Sequence, residues 1–149
     1  MHSMDQTRMP DAKLAALSEL LVGIWRVEGP DIAGLAEYQT RKDGSLLVAD
    51  VDFTVGGSKM KVMQHIRHDQ DSGSLRARYM DTMGDAATYT WVLEGGRIRI
   101  TLDGEDSDTY FEAILNEDNS QYAGTWHYGE LDAPDSTEVI VYTRILPEA

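Results

Sequence analysis

The regular spacing of turn signals along most of the chain constrains its fold more than any other feature. Short runs of β-branched and aromatic residues are separated by nine turn signals rich in glycine, aspartate or asparagine. These signals are Gly29-Pro30-Asp31, Asp43-Gly44, Gly56-Gly57, Asp71-Ser72-Gly73, Gly84-Asp85, Gly95-Gly96, Asp103-Gly104, Asn116 to Ser120, and Gly129 to Ser136. Nine short turns predict about ten strands joined as hairpins.

Alternation within these runs gives the same fold class. Arg97, Arg99 and Thr101 alternate with Ile98, Ile100 and Leu102, the period of a β-strand. Sequential hairpins predict an antiparallel up-and-down meander. About ten strands without crossover helices would leave two long exposed edges unless the sheet closes on itself. The predicted fold is therefore all-β: an up-and-down antiparallel β-barrel of about ten strands, with an N-terminal helix closing one end.

That single helix is predicted shortly after the N-terminus. Asp11 is suited to be its N-cap, and Leu14, Leu17 and Leu21 recur on one face. Gly23 is the expected stop at its C-terminal end.

Length, charge and composition exclude several classes of protein. The 149 residues predict one barrel domain over residues 11–149, preceded by a flexible N-terminus over residues 1–10. The 26 acidic residues against 13 Lys and Arg give a net charge of −13, which argues against a nucleic-acid partner. No apolar run approaches the roughly 18 residues of a membrane span. The absence of cysteine excludes disulfides and thiol catalysis. The polar N-terminus lacks the apolar centre of a secretion signal, so a cytoplasmic location is expected.

The two ends of the predicted barrel carry a recognisable pattern. Gly23-Ile24-Trp25 lies where the helix meets the first strand, and Arg144 lies in the last strand. A Gly-x-Trp in the first strand, with an arginine of the last strand over the indole, resembles the closure signature of lipocalins and the wider calycin superfamily. The resemblance implies that Gly23, Trp25 and Arg144 close the barrel, with a cation–π contact worth about 0.5–2 kcal/mol.

Further runs are similar to uncharacterised bacterial lipocalin-like proteins of the DUF1579 type. They are Tyr79-Met80-Asp81, Tyr89-Thr90-Trp91, and the stretch from Tyr110-Phe111 to Gly124-Thr125-Trp126. The similarity covers nearly the whole chain after residue 20, through patterning and not through a dense motif. The Thr-Asp-Tyr element of secreted lipocalins is missing, and so is the helical lid of fatty-acid-binding proteins.

A barrel of this size holds one small ligand, and aromatic side chains are its expected lining. The aromatic candidates are Tyr38, Tyr79, Tyr89, Trp91, Tyr110, Phe111, Tyr122, Trp126, Tyr128 and Tyr142, although each alone could be plain core. In the fourth predicted strand, the face of Met60, Val62, Gln64, Ile66 and His68 is expected inside. A buried Gln64 needs a hydrogen-bond partner, which either a ligand or a neighbouring strand could supply. The candidate ligand-binding residues are Tyr38, Gln64, Arg78, Tyr89, Trp91, Tyr110, Trp126 and Tyr142.

The leading functional hypothesis is binding of a small, partly hydrophobic molecule, with no catalysis, metal or cofactor evident. Two alternatives stay open. Nitrobindin-like barrels bind haem through a histidine near the C-terminal end, so His127 is the candidate axial ligand. A calycin-type decarboxylase or isomerase of a small aromatic acid could hold its carboxylate with Arg78 and move the proton with tyrosines. Ile and Val on an outer sheet face would permit a homodimer.

Overall fold

The computed structural model describes residues 2–104, 108–127 and 138–145, with side chains from residue 12 onward. Its described part contains one α-helix and ten strands. They are α1 (His2–Leu21), β1 (Gly23–Glu28), β2 (Ile32–Arg41), β3 (Leu46–Val55), β4 (Ser58–Asp69), β5 (Ser74–Asp81), β6 (Ala86–Glu94), β7 (Arg97–Leu102), β8 (Tyr110–Leu115), β9 (Gln121–His127) and β10 (Ile140–Ile145). A short 3-10 turn, Lys42–Gly44, joins β2 to β3.

The ten strands form one closed sheet. Each strand pairs antiparallel with its neighbours in sequence, and β1 also pairs with β10. At the closing seam Trp25 lies between Ala36 of β2 and Arg144 of β10. The predicted all-β, up-and-down barrel with an N-terminal helix is confirmed. The ninth predicted turn, residues 129–136, lies outside the described residues.

Strand alternation decides which side chains enter the barrel. In β4, Val62 and Ile66 are buried while Lys61 and Met63 are exposed on the outer face. Gln64 lies between the two buried residues on the inner face. The inner face predicted for this strand is therefore confirmed for Val62, Gln64 and Ile66.

Helix α1 packs against one end of the barrel. Leu14, Leu17 and Leu21 are fully buried in the same core cluster as Trp25. The helix begins at His2, upstream of the N-cap predicted at Asp11, because the residues preceding Asp11 include good helix formers. The flexibility of residues 1–10 stays a prediction. Within the described residues no helix combines the length and apolar character needed to cross a membrane.

Two side chains satisfy the last carbonyl groups of α1. The indole Nε1 of Trp25 donates to the carbonyl oxygen of Leu21 at 2.8 Å. The Arg144 guanidinium donates to the carbonyls of Leu20 and Val22, and its Cζ lies 4.3 Å from the centroid of the indole ring. A helix end buried in this way would otherwise leave unpaired acceptors.

Gly23 is required at the point where α1 turns into β1. Its φ of +132° is a backbone conformation that only glycine adopts readily. A Cβ there would also lie 2.9 Å from Nη1 of Arg144. The Gly-x-Trp pattern therefore lets the helix end lie directly against the barrel, with the arginine over the indole.

Candidate functional site

The barrel encloses a cavity of about 310 Å³ above the floor made by α1 and Trp25. Most of its wall is apolar: Val27, Ile32, Ala49, Val51, Phe53, Met60, Val62, Ile98, Ile100, Phe111 and Ile140. Side chains with polar atoms complete it: Tyr38, Gln64, Tyr79, Trp91, Tyr122, Trp126 and Tyr142. The half-buried Ile32, Phe53 and Met60 lie at the strand ends away from α1, so the cavity has an apolar outer end.

Three tyrosines form the polar inner end of the cavity. Tyr38 and Tyr122 are each 4% exposed, and their hydroxyl oxygens lie 3.1 Å apart in a hydrogen bond. The ring of Tyr142 stacks on Tyr122 with centroids 4.4 Å apart, while Trp25 packs edge-on against Tyr122 from below at 5.0 Å. The floor of the barrel thus holds the phenol cluster in place.

Gln64 is held beside this cluster by one hydrogen bond. The indole Nε1 of Trp91 donates to its Oε1 at 3.0 Å. Because an indole nitrogen can only donate, this bond fixes the orientation of the amide and turns Nε2 away from Trp91. Within the described residues, neither Nε2 of Gln64 nor the hydroxyl of Tyr142 has a hydrogen-bond partner. The cross-strand bond predicted for Gln64 exists, and a free donor remains.

Burial keeps these phenols neutral. It raises the pKa of Tyr38 to about 12, an effect that the hydrogen bond with Tyr122 partly offsets. Burial also raises the pKa of Tyr122 and of Tyr142 well above the usual range, and the neighbouring Tyr38 raises both further. All three therefore present an O–H group at neutral pH.

We expect the fold to lose stability in alkaline solution. The three phenols hold their protons more tightly in the folded chain than in the unfolded chain, where tyrosine has a pKa near 10.0. Their contribution is therefore complete below pH 10 and is lost as pH rises through the Tyr38 pKa of about 12. Ultraviolet absorbance of tyrosinate should show Tyr38, Tyr122 and Tyr142 still protonated when exposed tyrosines have titrated.

The same titration in urea is the control. There all seven tyrosines should ionise together near pH 10. Simultaneous ionisation of all seven in the folded protein would contradict the burial of the cluster.

Five of the eight predicted ligand-binding residues line the cavity: Tyr38, Gln64, Trp91, Trp126 and Tyr142. Tyr89 is on the inner side of β6, where its ring packs 5.6 Å from Tyr79 and 6.3 Å from Trp126, but it does not line the cavity. Tyr79 does line it, and its hydroxyl donates to Asp81 at 2.6 Å. Tyr128 lies outside the described residues.

Arg78 and Tyr110 lie on the outer face of the barrel. Arg78 is exposed and paired in register with His65 of β4. The Tyr110 ring is covered by the Arg99 guanidinium, whose Cζ is 4.1 Å from the ring centroid. Neither residue lines the cavity, because the adjacent Tyr79 and Phe111 take the inward positions of their strands.

His127 also lies on the outer face. Its ring stacks on Tyr110 with centroids 4.7 Å apart, and its Nε2 is 3.2 Å from the hydroxyl of Thr125. The neighbouring Trp126 occupies the inward position, and no histidine lines the cavity among the described residues. His127 therefore does not fit the role of axial ligand to a haem inside the barrel. The described residues also contain no group of three or more His, Asp or Glu side chains placed to hold a metal ion.

The sequence analysis did not single out most of the apolar wall. Val51 and Phe53 are examples, although both alternate with exposed Asp50, Asp52 and Thr54. That alternation was the available signal, and it identifies the inner face of β3 without reference to aromatic content.

Comparisons with known proteins add no relative to this picture. The chain matches no known family model, and no curated protein matches it. The fold and the cavity define it as a closed ten-strand antiparallel β-barrel, consistent with a lipocalin-like fold.

Proposed function

We propose that this protein binds a small, partly hydrophobic molecule inside its barrel, as a lipocalin-like member of the calycin superfamily related to DUF1579-type proteins. The observation that carries the proposal is the cavity of about 310 Å³, apolar along its wall and polar at its inner end. Protein interiors normally pack with few voids larger than a water molecule. An apolar pocket with a few convergent polar groups is the usual form of a small-molecule site.

The cavity volume sets the size of the ligand. At the volume of about 30 Å³ that one water takes in the liquid, it has room for roughly ten non-hydrogen atoms. Contacts with the apolar wall would stabilise such a ligand by about 25 cal/mol per Å² of apolar surface removed from water. A molecule the size of a medium-chain lipid fragment or a substituted aromatic ring matches these limits.

The decarboxylase or isomerase hypothesis draws no support from this geometry. Its arginine, Arg78, lies on the outer face, and the cavity has no charged side chain among the described residues that line it. The tyrosines at the inner end have raised pKa values, which makes them poor proton acceptors at neutral pH.

Narrowing the cavity should abolish binding while leaving the fold intact. Ala49 is 2% exposed, lines the cavity, and lies in register between Tyr38 and Gln64. Ala49→Leu places three more carbons where a ligand would lie. We expect the neutral fluorescent probe N-phenyl-1-naphthylamine to bind the wild type and to bind this variant at least about 10-fold more weakly, because the lost contacts are worth about 0.8 kcal/mol per methylene.

The matched control is Ala86→Leu, which adds the same three carbons at an exposed position on β6. It should leave probe binding unchanged. Equal binding to all three proteins would place the probe on the outer surface and overturn the proposal. Native mass spectrometry of freshly purified protein provides a second readout, since an occupied barrel carries excess mass that the Ala49→Leu variant should lack.

A further inference from the structure

We infer that the ligand presents an uncharged oxygen acceptor, above all a carbonyl group, to the tyrosine cluster, while its apolar body extends toward the outer end of the cavity. This inference rests on the proposed function and specifies its ligand class. It follows from the hydrogen-bond donors and acceptors of the inner end, from the charge of the lining, and from the position of the apolar wall.

Gln64 supplies the clearest constraint. Its Oε1 is occupied by the indole N–H of Trp91 at 3.0 Å, so the Nε2 group is the part of the amide left for a ligand. An amide nitrogen donates and cannot accept. A molecule that meets Gln64 in the cavity therefore has to offer it an acceptor atom.

The tyrosine cluster has the same excess of donors. Tyr38 and Tyr122 have two hydroxyl hydrogens, and the single hydrogen bond between them uses one. Tyr142, stacked on Tyr122, has a hydroxyl with no partner within the described residues. A carbonyl oxygen has two lone pairs and no hydrogen of its own to place, so it can accept from two of these donors at once. Buried polar groups without partners are costly, and such a ligand removes that cost.

The charge of the site excludes ionised ligand groups. None of the described residues that line the cavity is charged, and the chain as a whole carries −13. A carboxylate buried there would lack a counter-ion and would enter against the field of the protein. An ammonium group would bring further donors to face Nε2 of Gln64. An uncharged oxygen avoids both costs.

The outer half of the cavity fixes the orientation of the ligand. Ile32, Phe53 and Met60 line it at the strand ends farthest from α1, and these side chains offer no strong hydrogen-bonding group. The one hydroxyl on that side, from Tyr79, already donates to Asp81 at 2.6 Å. The hydrocarbon part of the ligand therefore lies outward and the oxygen inward.

A nine-carbon series tests the inference directly. Nonane, a nonanone, nonanol, nonanoate and nonylamine share one chain length and differ in their polar group, and each can be titrated against bound N-phenyl-1-naphthylamine. We expect the ketone to displace the probe at least about 10-fold more tightly than nonane, nonanoate or nonylamine, since it gains two hydrogen bonds. Nonanol, which also has a hydrogen to place, should fall between the ketone and nonane.

Variants then locate the effect. Tyr142→Phe removes one free donor and should weaken ketone binding about 5-fold while leaving nonane binding unchanged. Tyr79→Phe is the matched control, because it also removes a hydroxyl from the cavity wall, but one already bonded to Asp81; the affinity ratio of ketone to nonane should not change. If Tyr142→Phe does not fold, Gln64→Met removes the Nε2 donor at similar volume and gives the same expectation.

The outcomes separate this inference from the function on which it rests. Equal affinity for nonane and the ketone, or tighter binding of nonanoate or nonylamine, overturns the inference and leaves an apolar binding cavity standing. An unchanged ketone-to-nonane ratio in the Tyr142→Phe variant also overturns it. Absence of binding by the probe and by every member of the series overturns the proposed function itself.

Discussion

Replacing Trp25 with alanine should lower the free energy of unfolding by about 3–5 kcal/mol, the usual cost of removing a fully buried large aromatic side chain. Trp25 is 0% exposed, and its indole lies between the Arg144 guanidinium and the edge of Tyr122. Its Nε1 also satisfies the carbonyl of Leu21 at the end of α1. The substitution therefore leaves a cavity under the tyrosine cluster and an unpaired acceptor at the helix end. Urea unfolding followed by circular dichroism measures the loss.

Two further variants show which contact matters. Trp25→Phe retains an aromatic ring for Arg144 and Tyr122 and loses the bond to Leu21, so it should cost less, about 1–2 kcal/mol. Val92→Ala, on the outer face of β6 and 43% exposed, should change stability by less than about 0.5 kcal/mol. A loss below about 1.5 kcal/mol for Trp25→Ala would show that the indole does not hold the helix on the barrel.

The fold could be predicted because its determinants are local. Turn signals such as Gly56-Gly57 and Gly95-Gly96 mark the hairpins without knowledge of any distant contact, and all four glycines have positive φ values in the structure. Closure was predictable for a different reason. An open sheet of this size would expose two edges, and the Gly23-x-Trp25 pattern with Arg144 indicates which strands meet.

The candidate site was harder to predict because a shift of one residue reverses the two faces of a strand. Tyr110 and Phe111 are both aromatic, so local sequence does not say which of them points inward. The buried Ala113 and Leu115, at the same alternation as Phe111, decide it, and this leaves Tyr110 outside. Tyr142 was placed correctly because its strand has no competing aromatic neighbour.

The pairing of Tyr38 with Tyr122 depends on long-range geometry. The two residues are 84 positions apart, and their hydroxyls meet only because the closed sheet brings β2 and β9 to opposite sides of β1 and β10. No sequence pattern specifies that register. The donor excess at the inner end of the cavity is for this reason a property of the folded barrel, visible only once the strands are in place.

Gly124→Ala should be the second severe substitution, with a loss of about 3 kcal/mol or more. Gly124 is buried on the inner face of β9, between Tyr122 and Trp126, and in register with Ala113 of β8. A Cβ at this position would lie 2.2 Å from the backbone oxygen of Glu112 and 2.7 Å from Cα of Ala113. Backbone atoms cannot turn aside as the end of a side chain can, so β8 and β9 would have to separate.

This separation would act on the cavity as well as on stability, because Tyr122 and Trp126 flank the glycine and both line the cavity. We therefore expect Gly124→Ala to weaken binding of N-phenyl-1-naphthylamine under conditions in which the variant is still folded. Thr125→Ala, at the next and outward position of β9, is the matched control and should cost less than about 1 kcal/mol with probe binding intact. Wild-type stability for Gly124→Ala would mean that β8 and β9 do not approach as closely as the closed barrel requires. Wild-type stability together with lost binding would instead show that the two strands yield without cost, with the inner face of β9 still shaping the ligand site.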